Sequence, residues 1–361
     1  MSSIFTLEKL YVAYNECKKG KKNTHNALTF EIDREKNLLK LLNDLKTRQY
    51  KISRYIYFIT TVPTAREIFA ADFRDRIVHH LVYKELYNIF DSDFISDSYA
   101  NRIDKGTHSA VNKLRENMRQ TKLWNSKQWY LKLDIQSFFR SINKSILYNL
   151  LEEKIKCSSS IKENSIEWES DILWLIKMII FNNPTKNFVY KGKTILKNSI
   201  PKSKSLFYSG ELGLPIGNLT SQFFANIYLN ELDQFVTKNL GYDNYIRYVD
   251  DFIIIDNSKD KLKSVIPIID NFLQINLSLK IHPRKIVLQE TRMGVDFLGY
   301  YIKTTHTLVR QKVVKRFKKK LYEQRNNKDG LFSIDSIPMI KSYFGHFSHA
   351  NSYNLVKKLG E

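Results

Sequence analysis

Two adjacent aspartates, Asp250 and Asp251, interrupt the apolar run "YIRYVDDFIIID", and a third, Asp134, closes the segment "WYLKLD". Neighbouring carboxylates raise one another's pKa, so a pair set among oily residues calls for compensating positive charge. Divalent cations answer that need, and hard oxygen ligands select Mg²⁺, with Mn²⁺ as the alternative. Two such ions can stabilise the attacking and leaving oxygens of an in-line phosphoryl displacement. The plainer reading of an Asp doublet is a polar hairpin turn, because Asp is a common turn residue. Apolar strands on both sides favour the chemical reading, since they would brace the turn against a core.

Those carboxylates need elements to hold them. Trp129, Leu131 and Leu133 alternate with Tyr130 and Lys132, which predicts a strand ending near Asp134. "YIRYV" and "FIIID" read as two short strands with the Asp pair at or beside their turn. "GVDFLGYYI" signals a further strand pair. Helices are expected over "DRIVHHLVYKELYNIF", "SINKSILYNLLEEKIK" and "DILWLIKMIIF", and over the run that follows "GLPIGN". The first shows apolar residues at Ile77, Leu81, Val82, Leu86, Ile89 and Phe90, the spacing of one helical face. Polar stretches at 157–170 and 182–212 read as surface connections.

A chain of 361 residues favours two or three lobes, and a hydrophobic fraction of 43% makes it globular rather than disordered. Lys and Arg number 58 against 37 Asp and Glu, a net charge of +21 that points to a polyanionic partner. No apolar stretch reaches the roughly 20 residues of a spanning helix, so no membrane role is expected. The start "MSSIFTLEKL" lacks a basic segment followed by an apolar one, and the two cysteines, Cys17 and Cys157, form no disulfide framework. The expected location is cytoplasmic. Adjacent His79 and His80 diverge on a helix, and His346 and His349 lack Cys or acidic companions, which argues against zinc.

The motifs "LKLDIQSFF", "GLPIGNLTSQFFANIYL", "YVDDF", "HPRK" and "DFLGYYI", in this order, resemble the palm of reverse transcriptases. With "AREIFAADFRDRIVHH" and "SYANRIDKGTHSA" upstream, the resemblance spans about residues 50 to 302. It implies an α+β right-hand polymerase with helical fingers (1–118), an antiparallel-sheet palm (119–302) carrying a fingers or connecting insertion at about 157–212, and a small helical basic thumb (303–361). Asp134, Asp250 and Asp251 match the catalytic metal ligands. The implied reaction is attack of a primer 3′-hydroxyl on a dNTP. Phe139, five residues after Asp134, matches an aromatic gate against the ribose 2′-hydroxyl. Arg66 matches a triphosphate contact, where paired guanidinium hydrogen bonds suit phosphate. Lys285 of "HPRK" matches a lysine near the leaving pyrophosphate.

Most reverse transcriptases read Pro-Gln-Gly where this chain has Leu214-Pro215-Ile216-Gly217, followed by Ser221-Gln222 instead of Ser-Pro. That pattern, and the C-terminal "SYFGHFSHANSYNL", resembles the enzymes of diversity-generating retroelements. Those copy a template RNA into cDNA with errors mainly at template adenines. Ile216 replaces a hydrogen-bonding side chain with shape alone, and Gln222 stands where most relatives have Pro. The resemblance also implies a small basic accessory variability protein as partner, beside template RNA, primer or cDNA, and dNTPs. The competing readings are a retron, group II intron or abortive-infection enzyme, an RNA-dependent RNA polymerase, and a catalytically silent RNA-binding scaffold. Beyond Lys303, "KTTHTLVRQKVVKRFKKKLYEQRNNKDG" holds ten Lys and Arg with two acids. Val309, Val313, Val314, Phe317 and Leu321 recur at near-helical spacing there, which predicts a cationic helix with one buried stripe. Its Lys315, Arg316, Lys318, Lys319 and Lys320 are expected to track the nucleic-acid backbone.

Overall fold

The computed structural model describes residues 3–21, 23–62, 64–120, 127–157, 166–326 and 336–360. Most of the expected polar connection at 157–170 and the tail of the basic segment beyond Asn326 lie outside the described residues. The chain divides into two compact units. One comprises Met1–Ile95, Asp134–Asn239 and Ile268–Pro283, the other Ser96–Leu133, Leu240–Pro267 and Arg284–Glu361.

Helices dominate the first unit. Helices α1 (Leu7–Lys18), α2 (His25–Ile32) and α3 (Arg34–Lys46) precede an antiparallel pair, β1 (Tyr55–Thr60) and β2 (Arg66–Ala70). Helix α4 (Phe73–Asp91) follows, its start capped by the Asp72 side chain accepting from the Arg74 amide. The face predicted from spacing is buried through Ile77, Leu81, Val82, Leu86 and Phe90. After Asp134 come a single turn, α6 (Phe138–Ser141), then α7 (Lys144–Cys157) and α8 (Ile166–Phe181). Strand β4 (Phe188–Tyr190) joins β1 in parallel, so the sheet order is β2-β1-β4. Helix α9 (Leu219–Gln234) buries residues on nearly every side, from Thr220 to Asp233, as expected of a core helix touching both α4 and α7.

The second unit is built on sheets. Helix α5 (Thr107–Gln120) precedes β3 (Trp129–Asp134), and β5 (Tyr245–Tyr248) and β6 (Asp251–Asp256) form a hairpin. Helix α10 (Lys259–Leu277) carries Pro267 inside it and crosses from the second unit's residues into the first's. Strand β7 (Val287–Glu290) completes a four-stranded sheet of order β5-β6-β3-β7. Strands β8 (Val295–Phe297), β9 (Tyr300–Ile302) and β10 (Thr307–Val309) form an antiparallel sheet, in the order β10-β9-β8. Val111, Leu114 and Met118 of α5 join Tyr130, Ile246, Ile253, Val295, Phe297 and Ile302 in one core. Burial of that apolar surface is the main stabilising term.

Two sequence expectations need amending. Tyr130 is buried along with Leu131 and Leu133, so β3 is covered on both faces and its alternation is only partial. Val309 belongs to β10 rather than to the basic helix. Helix α11 (Gln311–Asn326) begins after it and buries Val314 and Phe317. Phe317 packs on Tyr343, Phe344 and Phe347 of α12 (Ile337–Phe347), and α13 (Tyr353–Gly360) ends the chain.

Candidate active site

The Asp doublet sits on the tightest connection of the four-stranded sheet. Tyr248 pairs with Asp251 across the β5–β6 hairpin, which leaves Val249 and Asp250 as a two-residue turn. Val249 has φ of 58° while Asp250 is absent from the positive-φ residues, the pattern of a type II′ connection. Glycine is the usual occupant of that corner, and a β-branched residue there costs about 1–2 kcal/mol. Arg247 braces the turn from below. Its fully buried guanidinium donates from Nη1 to the Val249 carbonyl at 3.1 Å. Its own backbone is held by Asp97 and Tyr99, through bonds of 3.0 Å each.

Positive charge reaches the doublet from the neighbouring strand. Lys132 Nζ lies 3.0 Å from Asp251 Oδ2, with both side chains about a quarter exposed or less, and it also donates to the Asp296 carbonyl at 2.8 Å. Lys132 and Asp134 are two apart on β3, so they share a face of that strand. Asp134 is its last residue, half-buried, and its carbonyl accepts from the His282 amide at 2.8 Å. Sequence reading missed Lys132 and Arg247. The alternation that pointed to Asp134 contained Lys132, but nothing in one dimension aligned it with Asp251.

In the first unit, the loop before α9 is fastened to β2. The Phe69 amide donates to the Ile216 carbonyl at 2.9 Å. Asn218 is buried and does double duty, accepting from the Ala71 amide at 3.0 Å and donating to the Phe69 carbonyl at 3.1 Å. Gly217, at φ of 122°, is required by this approach, because a Cβ there would stand 2.8 Å from Ile68 Cγ2. Ile216 and Gln222 are half-buried, so each presents part of its side chain at the surface. Thr220, one residue past the start of α9, meets buried His79 Nδ1 at 2.6 Å, and burial pushes the His79 pKa down to about 3. His79 is thus accounted for by the core.

Phe138 is buried and Phe139 half-exposed, and their ring centroids are 5.4 Å apart. The Leu214 amide donates to the Phe139 carbonyl at 2.8 Å, which ties the turn carrying Phe139 to the "LPIG" loop. Arg66 is exposed at the start of β2, opposite Thr60. Asp134, Phe139, Ile216, Gln222 and Arg66 belong to one unit. Asp250, Asp251 and exposed Lys285 belong to the other. On α11, Lys315, Lys318 and Lys319 are exposed, while Arg316 and Lys320 are half-buried, and Lys320 lies 5.6 Å from the Tyr343 ring centroid.

Asp134, Asp250 and Asp251 offer only hard carboxylate oxygens, a donor set that suits Mg²⁺ or Mn²⁺. Among the described residues, no three or more His, Cys, Asp or Glu side chains stand in metal-holding geometry. Mg²⁺ commonly takes one or two carboxylates and completes its shell with substrate phosphates and water, so the donor chemistry fits. A cavity of about 580 Å³ in the first unit, lined by His25, Asn37, Lys40, Asp44, Asp72 and Arg74 among others, includes none of the candidate residues. Among the described residues no helix is long and apolar enough to cross a membrane.

Comparison with known proteins bears on the whole arrangement. Residues 63–302 match the family described as reverse transcriptase (RNA-dependent DNA polymerase). The chain is 24% identical, over an alignment of 356 residues, to a COX1/OXI3 intron 2 protein of Saccharomyces cerevisiae, covering 82% of this chain and 38% of that protein. It is 22% identical over 293 residues to protein YkfC of Escherichia coli, covering 72% and 67% respectively. A 91 kDa protein in the cob intron of Schizosaccharomyces pombe is 23% identical over 235 residues, covering 62% of this chain and 24% of that one. The chain thus spans well under half the length of both yeast proteins. Among solved structures, apo telomerase of Candida tropicalis lacking its C-terminal domain superposes with a TM-score of 0.50 at 16% identity, covering 76% of this chain and 60% of that one. That likeness concerns the fold.

Proposed function

This chain belongs to the reverse transcriptase family, and on that premise we propose that it is an RNA-directed DNA polymerase acting through Asp134, Asp250 and Asp251. The observation that carries the reading is the strained "YVDD" hairpin, whose Asp251 is ion-paired to Lys132 of β3, the strand that Asp134 ends. Lobes corresponding to fingers at 1–118, palm at 119–302 with an insertion at about 157–212, and thumb at 303–361 accompany this reading.

Divalent cations held by the three aspartates would activate the primer hydroxyl and neutralise charge on the phosphates. The protein's own groups then have separate tasks. Arg66 pairs with triphosphate oxygens, and its planar fork fixes their orientation. Phe139 fills the volume that a ribose 2′-hydroxyl would need. Lys285 stabilises the leaving pyrophosphate or protonates it. Ile216 and Gln222 flank the nascent pair. Lys132 holds Asp251 in position before substrate arrives. The basic face of α11, through Lys315, Arg316, Lys318, Lys319 and Lys320, follows the template–primer backbone, so binding weakens steeply with salt.

The biological role has two readings. The "LPIG" and Ser221-Gln222 pattern supports targeted diversification, with errors at template adenines and a small basic accessory protein as partner. The intron proteins among its relatives support a group II intron type of enzyme instead. Primer extension on a defined RNA template with Mg²⁺ and four dNTPs, beside an Asp250→Asn control, tests the polymerase. Sequencing the product separates the roles. Errors concentrated at adenines and lowered by Ile216→Gln support diversification, whereas accurate cDNA supports the intron type. Absence of Asp250-dependent cDNA refutes the polymerase reading.

A further inference from the structure

Residues 186–212 are a basic, irregular segment of the first unit with no assigned task. Lys186, Lys191, Lys193, Lys197, Lys202 and Lys204 oppose a single acid, Glu211, and all six lysines are exposed. Among the described residues, none of the six forms a salt bridge with a carboxylate. Instead, Lys197 lies 4.4 Å from the ring centroid of Tyr190, and Lys202 lies 5.5 Å from that of Tyr208. Tyr208 is 57% exposed, so its ring is open to a stacking partner.

The segment is built to stay in place. Beyond β4 it runs through three short 3-10 turns, Thr194–Ser199, Lys202–Lys204 and Leu206–Tyr208. Glu67 of β2, buried to 8% exposure, anchors it. Ser205 Oγ donates to Glu67 Oε1 at 2.8 Å, the Leu206 amide donates to Oε2 at 2.7 Å, and Tyr57 adds a third bond at 3.1 Å. Phe207 packs against Tyr57, Phe69 and Phe188. Arg140, the residue after Phe139, donates to the carbonyls of Ser205 and Tyr208, at 3.0 and 2.6 Å. Gly213 closes the segment against Arg140, whose carbonyl would stand 2.8 Å from a Cβ there. The basic surface is therefore fixed to the same turn that carries Phe139.

We propose that residues 186–212 form a platform for single-stranded RNA, holding the uncopied template as it approaches the nucleotide beside Phe139. The lysines would contact phosphates, and Tyr208 would stack under a base. Fixed cations interleaved with exposed aromatic rings are the chemistry of single-strand binding, where stacking tolerates any base. A duplex would need an element shaped for a groove, and this segment offers only a three-residue strand and short turns. An acidic protein would use the charge but leave Tyr208 without a task. The uncopied-template role rests on the polymerase reading; the single-strand affinity does not.

The test measures binding of fluorescein-labelled oligouridylate by anisotropy at several salt concentrations. In parallel, primer extension is followed on RNA templates with short and long 5′ overhangs. In the triple variant Lys197→Gln, Lys202→Gln, Lys204→Gln, the log–log salt slope should fall by about 2, from roughly 0.7 per phosphate contact. Tyr208→Ala should lose roughly tenfold in affinity with the slope unchanged. Extension on the long overhang should fall while the short one is copied as before. If the triple variant fails to fold, the single Lys202→Gln and Lys204→Gln proteins should each lower the slope by about 0.7. Unchanged slope and affinity overturn the platform, as does variant-sensitive binding of polyglutamate with RNA binding intact. If the wild type extends neither template, the polymerase reading and the template role fall, and the anisotropy result alone decides single-strand binding.

Discussion

Replacing Lys132 with Met removes the cation beside Asp251 while keeping most of the apolar stem. At the observed 3.0 Å and an effective dielectric constant of about 20, the Coulomb attraction is about 5.5 kcal/mol before desolvation. Side-chain exposures of 21% and 24% mean that water offsets part of it, and a hydrogen bond to a charged group is worth about 2 kcal/mol net. The variant also forfeits the bond to the Asp296 carbonyl. Without divalent ions it should therefore be destabilised by about 2–3 kcal/mol, or roughly 6 °C in midpoint for a unit of this size. Thermal unfolding followed by near-ultraviolet circular dichroism, with and without Mg²⁺, measures this. If the aspartates hold Mg²⁺, the ion takes over the neutralisation, so added Mg²⁺ should raise the midpoint of the variant more than that of the wild type. An equal deficit in both conditions would refute the link between Lys132 and the metal site. No deficit in either would refute the energetic argument itself.

Other perturbations probe separate parts of the molecule. Glu67→Leu removes the acceptor shared by the Leu206 amide, Ser205 and Tyr57 and should cost about 2 kcal/mol, with faster tryptic cleavage after Lys202 and Lys204; unchanged digestion would contradict the anchor. Gly217→Ala meets Ile68 and a positive φ together, so a loss of about 1–3 kcal/mol in urea unfolding is expected, and full stability would mean that the loop can move away from β2. His79 is held neutral by burial, its pKa near 3 against 6.5 in the unfolded chain, so below pH 6.5 the unfolded state takes up a proton that the folded state refuses. Stability should fall with pH from there by about 1.4 kcal/mol per unit, and the His79→Gln protein should show a slope shallower by that amount. Phe139→Ala should raise incorporation of ribonucleotides relative to dNTPs by roughly ten- to hundredfold in single-nucleotide extension; an unchanged ratio would remove Phe139 from the gate role.

Much of this molecule is legible in one dimension because its elements repeat apolar residues at their own period. The α4 face from Ile77 to Phe90, the β5–β6 hairpin and the β8–β9 pair all lie where spacing puts them. Legibility failed where neighbours in space override the local pattern. Tyr130 looked solvent-facing until α5 and the second sheet covered it, and Val309 looked helical although it pairs with Tyr300. The segment 182–212 read as a loose surface connection, because no local pattern reveals that Glu67, more than a hundred residues earlier, fastens it.

The sequence by itself determined the order of the motifs, the identity of the three aspartates, the excess of positive charge and the helices and strands that carry them. These follow from side-chain type and periodicity, which are properties of a chain. Only the tertiary structure decided which partners those residues meet. It put Lys132 against Asp251, Arg247 under the Val249 turn, Asn218 on β2 and Arg140 on the basic insertion. Hydrogen bonds and ion pairs act over about 3 Å, and sequence separation says nothing about distance once the chain has folded back on itself.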